Sequence, residues 1–226
     1  MRFAPLALTV GAYAVAMAYV EAAVVVDLNG AIGQQIGAFF PLLPAMTAGP
    51  LILIETGREA ATLVMLAGVG IVAGRSALER LAWTAVAFGI WDIGYYAWLH
   101  VFTGWPPTLG TWDVLFLLPV PWTGPVWAPI AVSVALVGFG LAVARRLHGG
   151  GSVRLSSWHL AAALAGGLLV VLSFTLDAPS LMAGGIPRFY AWPVLVAGLA
   201  VASAAALDTL RPIDRLRALR GAERGS

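Results

Sequence analysis

The chain has 226 residues, 60% of them hydrophobic and only 11% charged, with a formal net charge of +2 and a mean hydropathy of +0.89. A soluble domain carries about twice that charged fraction, and several apolar runs exceed the roughly 20 residues a bilayer-spanning helix needs, so the composition points to a polytopic integral membrane protein without a separate soluble domain. All thirteen basic residues are arginine and there is no cysteine, which excludes a lysine Schiff base, a lysine nucleophile, disulfides and thiolate metal ligands.

Six transmembrane helices are expected, over about 4–26, 49–74, 79–103, 124–144, 156–177 and 189–209. The fold class is therefore all-α, a single six-helix transmembrane bundle over 1–210 followed by a basic tail over 211–226. The first run, behind Arg2, is long enough to span and reads as a retained helix rather than a signal peptide. Glycine is frequent inside the runs, as expected where helices pack closely in lipid.

Between the third and fourth runs, the stretch Gly104–Pro125 fits neither pattern. Its apolar part, Val114–Val120, is too short to cross, and Pro119 and Pro121 stop a regular helix. A short interfacial or re-entrant helix is expected there. Trp105, Trp112, Trp122 and Trp127 suit an aromatic belt at headgroup level, or the entry path of an apolar substrate.

Arginine placement sets the orientation. With the N-terminus inside, eleven of the thirteen arginines fall on the cytoplasmic side, among them Arg75, Arg80, Arg145, Arg146 and Arg154, while Arg188 stays outside and Arg58 lies within the second run. That is the positive-inside pattern of a multi-pass protein of the cell (plasma) membrane with both termini cytoplasmic. The tail from Arg211 to Arg224 then rests on anionic headgroups, which explains the basic balance better than nucleic acid does.

The acidic residues gather on the opposite side. Glu21 lies near the outer end of the first run, Glu55 and Glu59 in the outer half of the second, and Asp92 near the middle of the third, with Asp113 in the outer loop. Glu55 and Glu59 are four apart and share a helix face; Asp92, Tyr96 and His100 follow at the same interval. A charge at the bilayer centre costs about 2.5–3.5 kcal/mol on insertion scales, so Glu55, Arg58, Glu59 and Asp92 facing lipid would cost on the order of 5–10 kcal/mol. They must be buried and paired, protonated, or holding a cation.

Three chemistries meet that demand. In an ion-pair network, Arg58 offsets Glu55 or Glu59, and Asp92 is hydrogen-bonded by a tyrosine or protonated. A metal site would use Glu21, Glu55, Glu59, Asp92 and His100 as ligands for iron, manganese or zinc, although the Glu-x-x-His pairs of two-iron bundles are missing. Glu59 and Asp92 would then be the catalytic carboxylates, for redox or hydrolytic chemistry on an apolar or lipid-like substrate, with Arg58, Tyr96 and Asp113 in ion-pair or substrate roles. The third chemistry is proton- or cation-coupled transport, since buried carboxylates mark ion pathways. A non-catalytic subunit of a membrane complex is a further alternative. The metal site is the preferred expectation.

Haem is not expected, because His100 and the pair His148 and His159 fall on opposite faces of the membrane. Ser156 and Ser157 read as helix N-caps without a nearby base in sequence, and Gly149–Gly151 as a turn.

Overall fold

The computed structural model describes residues 2–31, 50–183, 185 and 189–211. The expectations for Arg188 and for the tail beyond Arg211 fall outside them. The described chain forms α1 (Phe3–Ala31), α2 (Pro50–Ala73), α3 (Ala77–Thr103), β1 (Trp112–Phe116), β2 (Trp122–Pro125), α4 (Trp127–His148), α5 (Ser157–Thr175), α6 (Ala178–Met182) and α7 (Trp192–Thr209).

Five helical stretches are long and apolar enough to cross a membrane: Phe3–Leu28, Leu53–Ala73, Trp127–His148, Ser157–Met182 and Trp192–Thr209. Five of the six expected spans meet this criterion among the described residues. The exception is α3, which has the length, at 27 residues, but carries Glu79, Arg80 and Asp92. Its neighbours explain the difference. It packs on α1, α2 and α4 together, burying Trp83, Val86, Trp91, Tyr96 and Leu99, so Glu79 and Asp92 on it are buried against protein, while Arg80 and His100 near its ends are exposed.

Local signals set its ends. Ser76 caps the helix by accepting the Glu79 N–H, and the Glu79 carboxylate turns back to accept the Arg75 N–H at 3.0 Å. This serine–glutamate spacing is the signature of a capping box. At the other end Gly104 takes φ 75°, a left-handed conformation that favours glycine.

The expected short helix over Val114–Val120 is a correction. The segment is an antiparallel β-hairpin, pairing Trp112 with Pro125, Asp113 with Gly124, Val114 with Thr123 and Phe116 with Trp122. Pro119 and Pro121 lie in the connection, where a missing N–H breaks no ladder. The fold is therefore helical with a two-stranded insert rather than all-α.

Polar contacts gather two ends. At one, Phe3 meets the His148 ring, His148 lies 3.3 Å from Glu79, Arg146 donates to the Leu210 carbonyl and His159 pairs with Asp208 at 2.9 Å. The hairpin closes the other end. Between them runs an apolar core of Val10, Ala14, Leu66, Trp83 and Val86.

Close backbone approach holds the helix pairs. A Cβ on Gly166 would sit 2.8 Å from the Gly198 carbonyl, and one on Gly198 2.8 Å from the Gly166 carbonyl, so α5 and α7 cross where neither has a side chain. The tryptophans depart from a simple belt. Trp105 is buried beside Tyr96, Trp122 stacks on Phe174, and Trp112 meets Tyr190 edge-on. Trp127 is the exposed one of the four, lying flat on Trp192.

Candidate functional site

A cavity of about 60 Å³ opens at the hairpin end, lined by Glu21 from α1, Glu55, Arg58 and Glu59 from α2, Asp92 and Tyr96 from α3, and the β1 strand. Such a volume holds a few water-sized groups. Four carboxylates and one guanidinium share its wall.

Each carboxylate has an identifiable partner. Arg58 bridges two helices, pairing with Glu55 one turn before it and with Glu21 across the α1–α2 interface; its Nε donates to Glu55 at 3.0 Å. The second oxygen of Glu21 accepts the buried Thr62 hydroxyl at 3.0 Å. Glu59 takes another path. Both its oxygens accept the Leu117 backbone N–H, at 2.8 and 3.0 Å, tying α2 to the hairpin. Asp92 accepts from Ser133 of α4 at 2.8 Å.

Asp113, just outside the cavity, is 1% exposed; it accepts the Tyr96 hydroxyl at 2.9 Å and its neighbour's Val114 N–H at 2.8 Å. Burial pushes its carboxyl up to about 7, against the pull of those two donors.

Of the residues singled out in the sequence, Glu21, Glu55, Arg58, Glu59, Asp92 and Tyr96 line one cavity, and Asp113 is bonded to Tyr96. His100 does not join them. It is exposed and its Nδ1 lies 3.1 Å from the Pro106 carbonyl. Eight residues along a helix is about 80° beyond two full turns, enough to carry the third member of the stripe off the face that Asp92 begins.

The metal-binding expectation meets a plain difficulty. Among the described residues no group of three or more His, Asp or Glu side chains is placed to hold a metal ion. The cation between Glu21 and Glu55 is Arg58 itself, and the two oxygens of Glu59 face a backbone N–H.

Glu79 and the histidine beside Ser156 escaped the sequence reading, although Ser156 is the expected helix cap. Glu79 is 2% exposed and joins Arg75 and His148 at the opposite end. There, too, Ser156 has a base nearby: its hydroxyl lies 2.6 Å from His159 Nδ1, whose Nε2 faces Asp208 at 2.9 Å. The Ser156 N–H also points to Nδ1, and the Ser156 hydroxyl accepts the His159 N–H, so the serine is occupied as a cap that ties α5 to α7. Its signal was a histidine at the N3 position, where glutamate or glutamine usually stands.

Comparison with protein families, curated proteins and solved structures finds no match to this chain.

Proposed function

We propose that the chain crosses the plasma membrane six times with both termini cytoplasmic, and that its outer-half cavity binds a small cation as part of proton- or cation-coupled transport. The sixth crossing is α3: its 27 residues extend about 40 Å, beyond the roughly 30 Å of a bilayer core. The arginine asymmetry supports the orientation.

One observation carries the functional reading. Glu21, Glu55, Glu59 and Asp92 line a single cavity on which Arg58 is the one basic side chain among the described residues. With the carboxylates ionised the wall carries three negative charges more than positive, and buried charge demands compensation. Protons or an entering cation supply it. The apolar core below, around Leu66, Trp83 and Val86, closes the route inward, as in an outward-facing state. Glu59 links occupancy to shape: a cation that draws it off the Leu117 N–H frees the hairpin segment that lines the cavity.

A metal centre with catalytic Glu59 and Asp92, acting on a lipid-like substrate, has weaker support, since Arg58 already occupies the space between two of the expected ligands. The test is flux in proteoliposomes under an imposed sodium or proton gradient, wild type beside Asp92→Asn. Flux that the variant loses supports the reading; no gradient-driven flux in wild type refutes it.

A further inference from the structure

Asp92 faces two cavities. Beyond the carboxylate cavity lies a second, of about 70 Å³, walled by Phe88, Trp122, Pro129, Val132, Val170 and Phe174. Asp92, Leu115 and Phe116 belong to both linings, so three side chains form the partition. The Phe116 ring packs against both linings, its centroid 6.2 Å from that of Trp91 in the first and 5.8 Å from that of Trp122 in the second. The Ser133 hydroxyl holds Asp92 in place from α4.

The two chambers differ in chemistry. The first carries four carboxylates and an arginine; the second, apart from Asp92, Ser133 and the indole of Trp122, is hydrocarbon. Val132 and Val170 continue from the second chamber into a groove of about 420 Å³ between the α3–α4 pair and the α5–α7 pair, lined almost entirely by Ala, Gly, Leu and Val. Two donors stand unanswered along this path. The indole N–H groups of Trp91, which is 5% exposed and lines the first chamber, and of Trp122, which lines the second, are buried without a hydrogen-bond partner. Buried N–H groups are normally bonded, and each exception asks for an acceptor.

We propose that the ligand of this site is an amphipathic amine carrying an ether or hydroxyl oxygen two carbons from its cationic nitrogen. The ammonium group sits among Glu59 and Asp92, the oxygen accepts from the Trp91 indole, and the apolar chain passes Phe116 into the hydrocarbon chamber. This assignment rests on the cation-binding reading above and adds the substrate class to it. An inorganic cation would use the first chamber alone and leave the Trp91 indole unanswered. A neutral lipid would fill the second chamber and leave the carboxylates uncompensated.

The experiment titrates detergent-solubilised protein with 2-methoxyethylamine, 2-propoxyethylamine and 2-pentyloxyethylamine, following tryptophan fluorescence, with sodium chloride titrated separately. Each pair of added methylenes raises affinity about tenfold where the chain enters a hydrocarbon chamber. In Val132→Phe, which fills that chamber, the three amines bind within about threefold of one another. Val170→Phe fills it from α5 and repeats the test if the first variant does not fold. A flat series in wild type, or an undiminished slope in a folded filled variant, overturns the amphipathic assignment. Sodium binding without binding of any amine also overturns it and leaves the cation reading standing; loss of both ends both.

Discussion

The carboxylate of Glu59 on α2 accepts the backbone N–H of Leu117 in the hairpin with both oxygens, at 2.8 and 3.0 Å, across 58 positions of sequence. Glu59 is 4% exposed and Leu117 8%, so this buried contact ties α2 to the hairpin residues that line the cavity. Glu59→Ala leaves a buried N–H without an acceptor, a loss of about 1–3 kcal/mol. Glu59→Gln keeps a carbonyl oxygen and loses less. Thermal unfolding in detergent checks the order, wild type above Gln above Ala, and equal midpoints for Gln and Ala would contradict it.

Arg58 stands between Glu21 and Glu55. Removing it strands two carboxylates in a largely buried setting, so Arg58→Met destabilises by about 3–5 kcal/mol. Adding Glu21→Gln recovers part of the loss because one uncompensated charge is gone. A double-mutant cycle on unfolding midpoints gives a coupling of about 0.5–3 kcal/mol for residues in direct contact; additive effects would deny the bridge.

Asp113 gives a pH dependence with a defined sign. Its carboxyl, raised by burial to about 7 from an ordinary value of 3.8, binds its proton more tightly in the folded protein than in the unfolded chain. Its contribution to stability is fully present below the ordinary value and is lost as pH rises through about 7. Unfolding midpoints therefore fall from about pH 4 to about pH 7 in wild type and level off above, and the fall flattens in Asp113→Asn.

Two neighbouring glycines separate close packing from mere composition. Gly166→Ala places a methyl 2.8 Å from the Gly198 carbonyl and destabilises the α5–α7 crossing, by about 1–3 kcal/mol as overpacked cores do. Gly167→Ala meets nothing within 4 Å and is neutral or stabilising by up to about 1 kcal/mol through helix propensity. Unfolding of the two variants side by side distinguishes them.

The long apolar runs were legible because a bilayer imposes length and composition on a helix, and their limits fell within a few residues of α1 to α5 and α7. The gathering of Glu21, Glu55, Glu59 and Asp92 was legible from topology, since every second connection returns the chain to the same end. Their partners were legible only in part. Arg58 was expected to answer Glu55 or Glu59; it does answer Glu55, and Glu21 besides, while Asp92 is bonded by Ser133 rather than a tyrosine. Glu59 meets a backbone N–H, which carries no residue-type signal at all. The hairpin was misread because five apolar residues show no usable period and prolines mark only where a helix stops. His100 was lost to the drift of the helical repeat over eight residues.

The most direct test of a cation site is the stability of the detergent-solubilised protein in sodium, potassium, calcium and 2-methoxyethylamine chlorides at constant ionic strength, wild type beside Glu59→Gln and Asp92→Asn. A ligand at a hundred times its dissociation constant stabilises by about 2.7 kcal/mol. The account predicts saturable stabilisation by a subset of these cations, weakened in both variants. Identical unfolding in every salt, or a cation effect that both variants retain in full, would contradict it.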